Sequence, residues 1–362
     1  MKDKKLNILI VTQVVDENDW LLGFFTKWLA EFSSFFKEVF VCTLRAGNYD
    51  LPENVKIIEI KKKNNPGKTN ILKILYSTVF IIKKEKGIDC IFIHMCPVYA
   101  LVLVPFKVLF KIPIVIWYIH CKATLKLRIA HLICNKIITA SRQSFPLKSK
   151  KIVVAGHGID TATFDLKNYG KQDKIIKILS AGRIAPVKRL EVLIEALKKL
   201  KDSGKVKFKC IIAGDVLINK HRDYCERLKR MIKNCGLTDM VKFIGPVLHQ
   251  KIGSLYKSCD VLVSLTDVGS YDKAVLEAMS SGLLIITNNG ALKKLLMSNL
   301  EDCFINENSP HKLVQRIEKF SAMPADKKNA LGLHLRNIVV EQHKLENCVS
   351  NIYTALESCI KK

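Results

Sequence analysis

A chain of 362 residues is too long for one ordinary hydrophobic core and suits two domains of middling size. Apolar residues make up 49% of it, so both can fold without staples, and 59 basic against 33 acidic residues leave a net charge of +26. That excess points to an anionic partner (nucleic acid, a phosphorylated ligand or acidic lipid) or simply to lysine-rich solvated faces. The twelve cysteines include no C-x-x-C, which excludes a zinc knuckle and reads as small buried hydrophobes in a reducing cytosol, not a disulfide frame.

The opening, MKDKKLNILIVTQVV, has an apolar run too short for a signal sequence and is predicted to be a first strand, so secretion is not expected. Further strands are predicted at Val39–Thr43, Val55–Glu59, Cys90–His94, Ile114–Trp117, Lys136–Ala140 and Ile152–Val154, after a first at Asn7–Thr12. Helices are predicted at Trp20–Phe36 and Asn70–Glu85. The apolar stretch from Ile91 to His120 raises a membrane question, but Pro97, Pro105, Lys107, Lys111 and Pro113 cut it below spanning length. It reads as strand, short helix, strand, with part able to rest on a bilayer surface.

The polar stretch Thr161–Lys174 has no periodic apolar face and reads as a linker. A second alternating unit follows, with strands at Ile175–Ser180, Lys207–Ala213, Val241–Ile244, Val261–Ser264, Leu284–Thr287 and a candidate at Asp302–Phe304. Its helices are expected at Leu190–Asp202, His221–Cys235, Gln250–Ser258, Lys273–Ser281, Ala291–Met297 and Pro310–Ser321, and the tail Ala325–Ile360 is helical. Alternating apolar runs and amphipathic segments are the mark of parallel sheets covered by helices. The expected fold class is therefore α/β, with two doubly wound Rossmann-like domains facing across a cleft and ligands at the carboxyl ends of their strands. The expected divisions are an N-terminal domain at 1–160, the linker at 161–174 and a C-terminal domain at 175–335. A last helix at 336–362 is a candidate to pack back on the first domain.

Within ILSAGRIAPVKRLEVLIEAL, Gly182 permits a close turn while Arg183 and Lys188 stand between a strand end and a helix start. Two cations so placed suit a pyrophosphate, the guanidinium as a fork and the ammonium as a point charge. An ordinary basic surface loop is the other reading of the same spacing. In SYDKAVLEAMSSG, Glu277 is one carboxylate amid apolar neighbours and calls for a partner. Lys273, four residues earlier, would supply one on a helix face.

Together AGRIAPVKRLEVLIEAL, CIIAGD, VKFIGPVLHQKIGSLYKSCDVLVSLT, SYDKAVLEAMSSGLLIITNNG and VVAGHGIDTATF, in this order of motifs apart from the last, resemble glycosyltransferase family 4, the retaining GT-B enzymes that use nucleotide-sugar donors. VVAGHGIDTATF stands at the end of the first half and the others cover most of the second. The resemblance implies that Arg183 and Lys188 neutralise the departing diphosphate. It places Gly182 and the Gly245–Val247 segment on the donor, the latter reading the nucleobase, with Gly269, Ser270, Tyr271, Asp272 and Lys273 in the donor-side loop. Glu277 matches the glutamate that takes the two ribose hydroxyls. The family's other glutamate falls at Gly269, and Asp267 or Asp272 is a candidate to replace it; Asp272 also reads as a helix N-cap.

In the first half the family's glycine-rich loop is represented only by VTQVVDENDWLLGFF. Asp16, Asp19, Trp20 and Gly23 are candidates for the acceptor side. His120, in WYIHCK, is the preferred catalytic histidine, His94 the second choice, and AGHGID, with His157 where asparagine is common, reads as a hinge entrance. No metal and no cofactor is expected, the nucleoside-diphosphate sugar (UDP or GDP) being a substrate.

The reading implied is a cytoplasmic hexosyltransferase-like enzyme, peripheral on the inner membrane face, acting on a glycan or lipid-linked acceptor in envelope polysaccharide or glycolipid synthesis. Lys61–Lys63, Lys83, Lys84, Lys86, Lys107 and Lys111 are its candidate contacts to anionic lipid. A catalytically weakened nucleotide-sugar-binding subunit that regulates or scaffolds a partner is the alternative. Nucleic-acid binding lacks an aromatic platform or reader helix, and dinucleotide oxidoreduction lacks a G-x-G-x-x-G after the first strand.

Overall fold

The computed structural model describes residues 6–60, 68–170, 175–266, 269–296 and 300–360. The chain divides into two compact units, residues 1–158 with 343–362 and residues 159–342.

The first unit is a seven-stranded parallel sheet in the order β3-β2-β1-β4-β5-β6-β7. Its strands are β1 (Asn7–Val15), β2 (Glu38–Ala46), β3 (Val55–Glu59), β4 (Cys90–His94), β5 (Ile114–Trp117), β6 (Lys136–Thr139) and β7 (Ile152–Val154). The central strands are apolar over most of their length because both faces are covered: Leu9, Val11, Ile91, Ile93, Ile114 and Ile116 bury toward one layer of helices. The alternate residues meet α1 (Phe25–Phe35) on the other face, with Phe92 5.3 Å from Phe32 and Trp117 4.9 Å from Trp28, ring centre to ring centre. The covering helices are α2 (Lys68–Lys86), α3 (Pro97–Val102), α4 (Val104–Leu109) and α5 (Leu125–Ile133), with Pro97 opening α3.

The second unit holds a five-stranded parallel sheet in the order β10-β9-β8-β11-β12. Its strands are β8 (Ile175–Ala181), β9 (Lys207–Ala213), β10 (Val241–Gly245), β11 (Val261–Ser264) and β12 (Leu284–Thr287). Its helices are α6 (Leu190–Ser203), α7 (Arg222–Asn234), α8 (His249–Ser258), α9 (Lys273–Ser280), α10 (Gly290–Leu296), α11 (Pro310–Ala322) and α12 (Ala325–His343). Helix α6 shows the local logic: Leu190, Leu193, Ile194, Leu197 and Leu200 recur at helical spacing and are buried. It stops at Gly204, whose left-handed backbone (φ 63°) donates to the carbonyls of Leu200 and Lys201.

In both sheets the chain builds outward from one strand and then crosses to its other side, between β1 and β4 in the first unit and between β8 and β11 in the second. A doubly wound sheet opens a crevice at the carboxyl ends of such a strand pair.

Several elements differ from their sequence-based expectation. The helix expected from Trp20 begins only at Phe25, because Asp16 and Asp19 draw the preceding backbone into turns. The Asp16 carboxylate accepts from the N–H of Asn18 (3.0 Å), and that of Asp19 from Leu21 (3.0 Å) and Leu22 (2.8 Å). The stretch expected as a strand at Asp302–Phe304 is a 3₁₀ turn at Glu301–Cys303 with one parallel bridge from Phe304 to Thr287. The apolar stretch from Ile91 holds two short helices rather than one, and α5 follows it in a segment with no predicted element.

The polar stretch from Thr161 is docked on the second unit. Phe164 is buried, the Tyr169 hydroxyl donates to the Asp260 carbonyl (3.0 Å), and Arg336 clasps the carbonyls of Thr161, Phe164 and Ser280. Residues 171–174 lie outside the described ones. The helical tail breaks after His343, and the last helix, α13 (Leu345–Ile360), lies in the first unit, where Tyr353 meets Phe35 and Phe36 at 5.7 and 5.2 Å.

Candidate functional site

At the switch point of the second sheet, β8 and β11 each end in a loop that carries the singled-out residues. Leaving β8, Gly182 takes φ 127° and its N–H donates to Ala213 (2.9 Å). A Cβ on Gly182 would lie 3.2 Å from Cε and Nζ of Lys188, and one on Gly214 would lie 1.9 Å from the Gly182 carbonyl oxygen. Glycine is required at both because two backbones and an ammonium converge there. Arg183 is exposed and forms no ion pair with the other described residues, and its guanidinium carries five donors in a planar fork.

Lys188 crosses from the β8 loop to the β11 loop and gives its ammonium to Asp272 Oδ2 at 2.8 Å. The same oxygen accepts from the Ser264 hydroxyl (2.7 Å), while Oδ1 caps α9 by accepting from the Ala274 N–H (3.3 Å). Burial by itself would raise the Asp272 carboxyl; Lys188, Ser264 and Ala274 together outweigh it and hold the pKa below its ordinary value. Asp272 is therefore both helix cap and anchor for Lys188, leaving two of the ammonium's three donors for other acceptors.

One turn into α9, Glu277 is only 7% exposed. Its Oε1 takes the Lys273 ammonium at 2.6 Å and its Oε2 accepts from the Tyr256 hydroxyl at 3.0 Å, while His249 Nε2 stands 3.5 Å from Oε1. Burial opposes the charge, but Lys273 and His249 overcome it and keep the carboxyl ionised well below its ordinary pKa. The i, i+4 pair expected from spacing is present, and the carboxylate's two oxygens retain acceptor capacity beyond it.

The rest of the donor-side set sits around these groups. Gly269 has φ 71°, a left-handed backbone that a glutamate would adopt only under strain, which fits the glycine found there. Asn289, fully buried, holds that loop by donating to the carbonyls of Thr266 (3.1 Å) and Ser270 (2.9 Å). Tyr271 and Val247 are half-buried against the core, and Gly245, at φ 75°, accepts from the Gly214 N–H (2.7 Å). Asp267 lies outside the described residues. Ser264, His249, Tyr256, Asn289 and Gly214 had no assigned part in the sequence reading. The only signal for them was position, Ser264 closing one strand and Asn289 following another.

In the first unit the candidates form two local clusters. Asp16 and Asp19 both face Arg45, Asp19 in direct contact and Asp16 at 3.9 Å, and both bind loop N–H groups. Gly23 is buried against the carbonyls of Asp19 and Glu17, 2.5 and 2.7 Å from where a Cβ would stand, and Trp20 is half-buried. His94, at the carboxyl end of β4, is buried, contacts the Thr12 hydroxyl through Nδ1 (3.2 Å) and stacks on Phe25 at 4.1 Å. Burial lowers its pKa to about 3, so it is a neutral imidazole at physiological pH. His120 is exposed beyond β5, with its ring 5.6 Å from that of Tyr118. The AGHGID turn is gripped by Trp28, whose Nε1 donates to the Gly158 carbonyl (3.0 Å); a Cβ at Gly158 would fall 2.3 Å from the indole.

Residues 162–333 match the family model described as glycosyl transferases group 1. The chain is 27% identical over 184 residues to a putative colanic acid biosynthesis glycosyltransferase of Escherichia coli, covering 49% of this chain and 44% of that one. It is 26% identical over 187 residues to an uncharacterized glycosyltransferase of Methanocaldococcus jannaschii, covering 48% and 46%. The chain thus spans under half the length of these curated relatives. Among solved structures, a glycosyltransferase from Rickettsia africae superposes with a TM-score of 0.76 at 18% identity over 99% of both chains. Anabaena HepE, solved with UDP and glucose, gives 0.76 at 16% identity over 98% and 100%. At those identities the likeness speaks for the fold, two Rossmann-like units of the GT-B class. Over residues 162–333, just under half of its length, this chain is therefore similar to the glycosyl transferases group 1 family.

Proposed function

We propose that the chain is a retaining glycosyltransferase of family 4 that moves a sugar from a nucleoside-diphosphate donor to a glycan or lipid-linked acceptor in envelope polysaccharide or glycolipid synthesis. The observation that carries this reading is the Lys188–Asp272 bridge across the second sheet's switch point, with Arg183 in the same loop after β8 as Lys188. When the bond from the sugar C1 to the phosphate breaks, negative charge collects on the departing diphosphate. In this reading Arg183 and Lys188 stabilise it, and the leaving phosphate oxygen takes the acceptor's proton as the new bond forms on the same face. Glu277, kept ionised, accepts from the two ribose hydroxyls through the capacity that Lys273 and Tyr256 leave. Support comes from relatives named for colanic acid and amylovoran biosynthesis and from HepE, solved with UDP-glucose.

A panel of UDP- and GDP-sugars tests the donor. One base should raise the melting temperature, at a hundredfold excess over Kd by the equivalent of about 2.7 kcal/mol. A flat response across both bases, with no sugar transferred or hydrolysed, would sink the proposal.

The acceptor side of the proposal includes an anionic membrane surface. No described helix is long and apolar enough to cross a bilayer. Phe80, Ile81, Val108, Leu109 and Phe110 are nevertheless exposed on the first unit, with the rings of Phe80 and Phe110 6.4 Å apart. Lys83, Lys84, Lys86 and Lys111 adjoin them in the chain and would each add about 1 kcal/mol near anionic lipid. Lys107 caps the Ile133 carbonyl and Lys83 also reaches the Ile88 carbonyl (3.3 Å), which leaves Lys84, Lys86 and Lys111 as the better lipid contacts, and Lys61–Lys63 lie outside the described residues. The protein should float with vesicles containing phosphatidylglycerol and not with neutral ones; equal flotation with both would remove the membrane from the reading.

A further inference from the structure

At the amino ends of β8 and β11 the second unit carries a concavity of about 290 Å³, at the small end of the range of ligand sites. Among the described residues four lysines line it, Lys167, Lys177, Lys257 and Lys328, against the single carboxylate of Asp260. Asp260 is already divided: Oδ2 accepts from the Lys177 backbone N–H at 2.8 Å, and Oδ1 lies 3.6 Å from the Lys167 ammonium. Lys257 leans instead to the exposed Asp165, at 3.2 Å.

Lys328 is the telling residue. It is 9% exposed, and its ammonium reaches the Ser321 carbonyl only at 3.5 Å. Burial depresses its pKa; Asp260 offsets part of this, and Lys167 adds to it. Burying an ammonium beside a second one, with a poor hydrogen bond and a shared counter-ion, costs stability that an apolar residue would spare. A bound anion removes that penalty. Helix α12 also begins on this wall, at Ala325, and presents its positive end, although its first-turn Asp326 is exposed nearby. The concavity is separate from the donor loops: Asp260 precedes β11 and Ser264 ends it, so they stand about 13 Å apart along the strand.

We propose that this concavity is a second anion site that binds a small phosphate-bearing molecule, inorganic phosphate or a sugar phosphate, independently of the nucleotide donor. A tetrahedral phosphate offers oxygens to several point-charge ammoniums at once, which a chloride does not.

The test is calorimetric titration of the full chain with inorganic phosphate and with a hexose 6-phosphate, at ionic strength held constant with chloride. Wild type and Arg183→Ala should both show saturable binding of at least one of them, the tighter telling free phosphate from sugar phosphate. Lys328→Met should bind at least about tenfold more weakly, yet melt at or above wild type when phosphate is absent. Lys167→Gln, at a partly exposed position, should show the same weakening and covers the case in which Lys328→Met does not fold. The proposal is overturned if wild type shows no saturable binding, if the lysine variants bind like wild type, or if Arg183→Ala abolishes binding, since phosphate would then occupy the donor loops. Because the donor panel reads the other end of the sheet, failure here leaves the glycosyltransferase reading standing.

Discussion

Arg183→Ala is expected to lower turnover by about 10²–10³-fold, the cost of removing one group that meets charge developing in a transition state. Affinity for the free nucleoside diphosphate should fall with it, because in the proposed complex the same guanidinium would face the same oxygens in the ground state. Folding stability should stay within about 0.5 kcal/mol of wild type, since the side chain is exposed and pairs with no other described residue. Arg183→Lys should recover only part of the loss, a point charge replacing a fork. Steady-state kinetics beside a diphosphate titration give the answer, and unchanged turnover in Arg183→Ala would take away its assigned role.

Glu277→Gln should act on stability and on donor binding together. The carboxylate is buried with Lys273, Tyr256 and His249 around it, and neutralising it leaves the Lys273 ammonium without its partner 2.6 Å away. Breaking such a pair costs about 3–5 kcal/mol. The folded pKa lies below the ordinary 4.5, so the unfolded chain binds the proton first as pH falls. The contribution is therefore complete above pH 4.5 and drains away as pH drops below it toward the folded pKa. Urea unfolding of both forms over a pH series should show a gap that is widest near neutrality and narrows through the acid range. A gap independent of pH would show that the stabilising charge is not on this residue. If Glu277→Gln folds and binds the donor as tightly as wild type, the ribose assignment fails.

Much of the fold was open to reading without coordinates, for one physical reason. Strands covered on both faces must be apolar throughout, so β4, β5, β11 and β12 stand out as short unbroken runs, and their limits follow closely. Helices such as α6 announce themselves by spacing and by a terminal glycine. The start of α1 did not, because the competing turn depends on Asp16 meeting Asn48 and on Asp19 meeting Arg45, residues brought close only by pairing of β1 with β2.

The amino-acid sequence by itself determined the two alternating units, the strand-end placement of Gly182, Arg183, Lys188 and the α9 segment, and the i, i+4 pairing of Lys273 with Glu277. Those properties depend on hydrophobic period and on spacing within one element, which are local. Tertiary structure alone decided that Lys188 bridges to Asp272 across 84 residues, that Tyr256 and His249 complete the Glu277 cluster, and that His94 is a buried neutral imidazole. It also gathered four lysines around Asp260 at the far end of the same sheet. Contacts of that kind arise where strand order reverses and loops distant in the chain converge, and burial, which sets each charge's cost and pKa, exists only once they have.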